Sequence, residues 1–158
     1  MINKSLLFTQ IISALQLNHE GAVEAAMRAY STATNDENVA ENKYDTLALE
    51  ASYLAHGQAQ RVAQCEADII AFKKLDISAK STVVLGSLVE LVDQQDKCKY
   101  LFIGPSAGGL KVLSGSKEVV IVTPNSPLGY ALMGRELDDE ISVKIAELVV
   151  NYEIIMIC

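Results

Sequence analysis

Two apolar series of helical period, set on either side of a short acidic connection, constrain this chain more than any other feature. The first runs through Phe8, Ile11, Leu15, Asn18, Ala22, Ala25, Ala29 and Ala33, the second through Leu47, Ala51, Leu54, Gln58, Val62, Cys65, Ile69 and Phe72. Steps of three or four residues place each series on one face of an α-helix. Such a face needs a partner. The connection Asn35 to Asp45, with Asp36, Glu37, Glu41 and Asp45, is short enough to make the other series the nearest one. The pattern predicts an antiparallel coiled-coil hairpin, roughly 45 Å long at about 1.5 Å per residue, with acids concentrated at its tip. Folding about position 38 pairs residues whose numbers total 76, so that Ala29 faces Leu47 and Ile11 faces Cys65. Asn18 and Gln58, the only polar members of the two series, then stand at one level, where a polar pair fixes register.

The same helices carry Gly21 and Gly57, weak points in a helix interior. His19 and His56 are expected to face solvent, because two histidines without a carboxylate or thiol at ligand spacing are a weak metal signal. At 158 residues, half hydrophobic and 21% charged, the chain is globular, with room for one compact domain or two small ones. A formal charge of −7 argues against a nucleic-acid coat held by phosphate contacts and leaves open a basic protein surface as partner. Cys65, Cys98 and Cys158 are an odd number at no metal spacing and read as reduced thiols of a cytoplasmic protein. Met1 to Leu17 begins like a signal peptide, but Thr9, Gln10 and Ser13 interrupt the apolar run, and no stretch approaches a membrane span. The expected location is the cytoplasm, with no membrane partner.

Composition changes after Phe72, which sets expected domains of 1–76 and 77–158. From Thr82 onward TVVLG, SLVELVD, KYLFIG, EVVIVT, EISVKI and NYEIIMIC are rich in β-branched and aromatic residues and read as strands. GPSAGG (104–109) is a loop and lacks the Gly-Lys-Ser/Thr ending of a phosphate-binding loop. One short helix interrupts the strands: Ser126 can cap it, Pro127 suits its first position and Gly134 suits a left-handed stop. The fold class expected is α+β.

Here the residues resemble a family. SPLGYALMGRELDDEISV followed by NYEIIMIC is similar to the C-terminal domain of the Gre transcript-cleavage factors, GreA and GreB, whose pattern runs Ser-Pro-Leu-Gly-x-Ala-Leu-Leu-Gly-Lys, then Gly-Asp-x-Val, then Tyr-Glu-Ile-x-x-Ile. TVVLGSLVEL and KYLFIG look like earlier strands of that domain, and the helical hairpin agrees with the family's N-terminal coiled coil in position and length. The resemblance implies an FKBP-like antiparallel sheet domain that docks on bacterial RNA polymerase at the mouth of its secondary channel, with Ser126, Pro127, Leu128 and Gly129 at the contact. It implies that the coiled coil reaches down the channel, meeting the nascent RNA 3′ end only indirectly.

In the family a Gly-Asp-Leu-x-Glu-Asn tip helps hold a catalytic Mg²⁺ so that polymerase cleaves backtracked RNA. The matching stretch here is Glu37-Asn38-Val39-Ala40-Glu41-Asn42. Glu41 falls on the family's Glu, and Asn38 stands where the family has Asp. The resemblance therefore implies Glu41 as the acid directed at the polymerase Mg²⁺, with Asp36 or Glu37 assisting. It implies no cofactor of the chain's own, no enzyme activity beyond assisting the polymerase's intrinsic cleavage, and a monomer. Two readings stay open: a factor that stimulates transcript cleavage, and a non-cleaving modulator or inhibitor that occupies the same channel. A peptidyl-prolyl isomerase rests on fold analogy alone, and fold does not carry function. An acidic coiled-coil adaptor without a polymerase partner is the remaining alternative.

Overall fold

The computed structural model describes residues 1–34 and 47–158. Helix α1 spans Lys4–Thr34 and α2 spans Leu47–Lys73. Six strands follow: β1 Leu88–Asp93, β2 Cys98–Ile103, β3 Lys111–Ser114, β4 Lys117–Val122, then the short helix α3 Pro127–Leu132, β5 Glu140–Ile145 and β6 Leu148–Ile157. The chain divides into two compact units, one of residues 1–12 with 71–158 and one of residues 13–70. Among the described residues no helix is long and apolar enough to cross a membrane.

In the first unit a single sheet has the order β3-β4-β2-β1-β6-β5. It is antiparallel except between β2 and β4, which are parallel, because β3 turns back on β4 before the chain rejoins β2. A register shift between Glu90 and Leu91 bends the β1–β6 pairing, as a bulge does. One face of the sheet carries Val89, Leu91, Leu101, Ile103, Val143, Tyr152 and Ile154, packed with Leu132 of α3 and with Val83. On Phe102 converge Phe8 and Phe72, with ring centroids 6.3 Å away in each case, and Leu7, Ile11 and Phe72 are wholly buried. Each such side chain contributes about 1.5–3 kcal/mol by leaving water. Asn3 caps α1, its Oδ1 accepting from the Leu6 N–H at 3.0 Å. Lys4 is buried; its ammonium donates to the Cys158 carbonyl at 2.7 Å and the Ser78 carbonyl at 3.4 Å. Burial pushes its pKa below the ordinary lysine value, partly offset by attraction to Cys158 and Asp76.

Most expected strands form where their residue types placed them. TVVLG does not: Thr82 makes an isolated bridge to Glu136, and Val83 is tied through its N–H to the Arg135 carbonyl and through its carbonyl to the Gly134 N–H. Its apolar residues reflect burial beside α3, not strand pairing. KVLS, four residues beside a Gly115 turn, forms the unanticipated β3.

In the second unit α1 and α2 run antiparallel, in a register other than the one expected. His19 Nε2 lies 3.2 Å from Glu66 Oε1, whereas folding about position 38 sets residue 19 opposite residue 57. The difference is nine residues, or ~13 Å at about 1.5 Å per residue. Asn18 is exposed and His19, half-buried, takes its place between Leu15 and Ala22. Leu54 is likewise exposed, and Ala55 takes its place ahead of Gln58, Val62, Cys65 and Ile69. Asn18 and Gln58 therefore form no buried pair, and the Gln58 Oε1 is buried without a hydrogen-bond partner. Both misplacements are of one position, because in an alanine-rich seam a step of three and a step of four fit the apolar pattern equally well.

Candidate functional site

Of the residues singled out by sequence, Ser126, Pro127, Leu128 and Gly129 lie in the first unit and can be placed. Asp36, Glu37, Glu41 and Asp45 lie outside the described residues. Ser126 has extended backbone, φ −75° and ψ 154°, as a helix cap requires. Its hydroxyl donates to the Thr123 carbonyl at 2.8 Å, and its Oγ accepts from the Gly129 N–H at 3.1 Å. Pro127 occupies the first helical position, where a missing N–H costs nothing. Gly129 is buried, and a Cβ there would collide with the Thr123 carbonyl oxygen. Gly134 closes the segment at φ 77° and donates to the Val83 carbonyl at 2.8 Å. The Ser-Pro-Leu-Gly motif is thus a turn chemistry: it holds a six-residue helix rigidly against the end of β4.

The helix walls an apolar cleft. Pro127 and Leu128 line it together with Val120 and Val122 of β4, Val143 and Ile145 of β5, and a lip at Gly108 and Gly109. Gly108 keeps that lip low, since a Cβ would stand 3.3 Å from the Thr123 methyl. The apolar surface continues past the cleft: Ile145, Leu148 and Val149, at the β5–β6 turn, are all more than half exposed. Lys144 is the one charged residue among those lining it. No acid, histidine or thiol lines the cleft. It suits the docking of an apolar side chain.

Elsewhere the shifted groups have structural causes. Hydrogen bonds from the backbone N–H groups of Lys97 and Gln95 hold the Asp93 carboxyl below the usual range and close the β1–β2 turn. Lys80, bridged at 2.7 Å, and Ser78 do the same for Asp76. Burial and the neighbouring Glu90 raise the Cys98 thiol, which makes it a poor nucleophile. Among the described residues no cluster of three or more histidines, cysteines or acids is arranged to hold a metal ion.

Sequence reasoning missed the cleft's far wall. Alternation in EISVKI marks Ile141 and Val143 as inward, but nothing local says that β5 lies across from β4.

A family model described as transcription elongation factor, GreA/GreB, C-terminal, matches residues 78–158. Transcription elongation factors GreA of Zymomonas mobilis subsp. mobilis and of Sphingopyxis alaskensis are each 41% identical to the chain over 64 residues, which cover 40% of this chain and 36% of each relative. The match thus spans about a third of the length of these curated relatives. Among solved structures, GreA factor homolog 1 (Gfh1) of Thermus thermophilus is 21% identical, with 93% of this chain and 94% of that one covered at a TM-score of 0.40. The transcription elongation factor GreA/GreB of Nitrosomonas europaea is 17% identical, with 61% and 78% covered at a TM-score of 0.37.

Proposed function

The chain belongs to the GreA/GreB family of transcription elongation factors, and from that premise we propose that it binds bacterial RNA polymerase at the secondary channel and acts on backtracked or paused complexes. The observation that carries the proposal is the apolar cleft beside α3, one side of which is lined by Ser126, Pro127 and Leu128 within the stretch that matches the family. Ser126, Pro127 and Gly129 hold Leu128 in place, and the cleft takes an apolar side chain of the polymerase at the channel mouth.

The hairpin is the part that acts within the channel. Residues 13–70 hold nine carboxylates against three basic side chains, a formal −6, while the remainder holds eleven against ten. Glu41, which falls on the Glu of the family's tip pattern, is the acid presented to the polymerase, with Asp36 and Glu37 assisting. A Mg²⁺ of the polymerase takes hard oxygen ligands, and a carboxylate delivered from outside completes a loosely held ion.

The test is incubation of a stalled, backtracked elongation complex with the protein. Wild type is expected to shorten the transcript from its 3′ end. Glu41→Ala is expected to abolish the shortening while leaving polymerase binding intact, and Asn38→Asp, which restores the family's acid, to accelerate it. If both wild type and Asn38→Asp leave the transcript intact yet compete with a cleaving factor for polymerase, the protein is a non-cleaving modulator. Absence of binding to polymerase sinks the proposal.

A further inference from the structure

Beyond the cleft and the tip, the sheet has an open edge. β5 is its last strand, and the ladder to β6 fixes which of its backbone groups face outward. The Ile154 N–H donates to the Asp139 carbonyl at 3.0 Å. Bonded and non-bonded pairs alternate along an antiparallel ladder, so Ile141, Val143 and Ile145 are the β5 residues bonded to β6. Glu140, Ser142 and Lys144 turn their N–H and C=O groups away from β6, to the open edge, and all three are exposed. Glu140 also stands directly opposite Glu153, in a non-bonded pair where side chains come closest and like charges destabilise. Among the described residues neither Glu140 nor Lys144 takes part in an ion pair.

Charge selects the occupant. A charged side chain on an edge strand deters most other strands, but it admits one that brings the opposite charge to the same level. β5 is itself such a strand. Two copies laid antiparallel about Ser142 set Glu140 of each beside Lys144 of the other, with the two Ser142 residues at the two-fold axis. The outward-facing residues then fall opposite one another, so ladder hydrogen bonds and opposite-charge pairs come in one register. Each Glu140 gains a cation where it now meets only Glu153. Registers centred on Glu140 or on Lys144 set like charges together instead. The unit that carries β5 holds eleven carboxylates against ten basic side chains, so little net repulsion opposes the approach. We propose that the edge of β5 is a self-association surface, at which two copies of this chain pair about Ser142 into one continuous sheet. The contact is isologous and closes at two copies. A single strand pair is a small interface, so the chain is a monomer when dilute and a dimer when concentrated.

Sedimentation of the full chain over a series of rising concentrations tests it. The mass of the wild type is expected to climb from one chain towards two. Glu140→Lys and Lys144→Glu each turn both charge pairs of the contact into like pairs. Each is expected to weaken self-association about tenfold, with circular dichroism unchanged. Mixing the two variants is expected to restore association as a mixed dimer, because each supplies the sign that the other lacks. That restoration also shows that both variants are folded. Wild type that stays a monomer at every concentration overturns the inference. Variants that dimerise as the wild type does place the contact elsewhere and overturn it as well. A mixture no more associated than either variant alone removes the charge pairing, and the register about Ser142 with it.

Discussion

The two compact units of this chain solve the problem of burial in opposite ways. The sheet unit buries large side chains on both faces, with Leu132, Ile154 and Leu91 on one and Phe102, Phe72 and Leu7 on the other, all inaccessible to solvent. The hairpin segment, residues 13–70, contributes only Leu15, Ala22 and Ala29 to the buried hydrophobic set among the described residues. The sheet unit balances its charge almost to zero, whereas the hairpin concentrates acid. Buried apolar area is concentrated in one unit and acidic charge in the other. The hairpin's thin seam leaves much of its apolar surface exposed, whereas the sheet unit encloses its own.

The sharpest way to break this contrast is to cut the same kind of contact in each unit. Phe102→Ala removes the ring on which Phe8 and Phe72 converge, and a loss of about 3–5 kcal/mol is expected in chemical denaturation. Val62→Ala truncates a half-buried position of the hairpin seam, and about 1 kcal/mol is expected. Equal losses would show that the hairpin is packed as tightly as the sheet unit and would end the comparison.

Next in size is Gly129→Ala. A methyl directed at the Thr123 carbonyl oxygen must displace α3, at a cost of about 1–3 kcal/mol for overpacking. Because α3 also walls the cleft, this variant is expected to lose polymerase competition together with melting temperature. Ser126→Ala removes only the cap, for about 0.5–2 kcal/mol, and is expected to spare binding more. Unchanged stability in Gly129→Ala would mean that the Ser-Pro-Leu-Gly turn is not rigid, and the account of the cleft would fall with it.

What the sequence makes legible follows the range of the forces involved. The Ser126 cap, the Pro127 start and the Gln58–Val62–Cys65–Ile69–Phe72 stripe depend on neighbours three or four residues away, and they are readable. So are five of the six strands. Register between the helices depends on contacts across the pair, and alanine-rich seams discriminate poorly between Asn18 and His19 or between Leu54 and Ala55. The cleft depends on β5 standing across from β4, which is a matter of topology. Its near wall was visible in Ser126 to Gly129 and its far wall was not.

Glycine in the hairpin gives a prediction of opposite sign. Neither Gly21 nor Gly57 has any atom within 4 Å of where a Cβ would sit, so neither serves close packing. Replacing each by Ala is expected to stabilise the hairpin by about 0.5–1 kcal/mol through helix preference, seen as a higher melting temperature of the helical signal. A loss of stability would show that the segment is more tightly packed than its exposures indicate.

The smallest effect expected is also the one that tests the register. His19 and Glu66 form a cross-helix polar contact of the hairpin, with side chains 28% and 59% exposed. Exposed pairs of this kind are worth about 0.2–1 kcal/mol, because water screens them and long side chains lose freedom in forming them. The contact is an ion pair only in molecules whose imidazole is protonated and a hydrogen bond in the rest. A double-mutant cycle with His19→Ala and Glu66→Ala isolates the coupling from the effect of each truncation. A positive coupling that shrinks as salt is added, through screening of the charged fraction, fits the observed register. The same cycle on Asn18 and Gln58 is expected to give none, since Asn18 points to solvent. Coupling between Asn18 and Gln58 with none between His19 and Glu66 would restore the register in which residue numbers total 76.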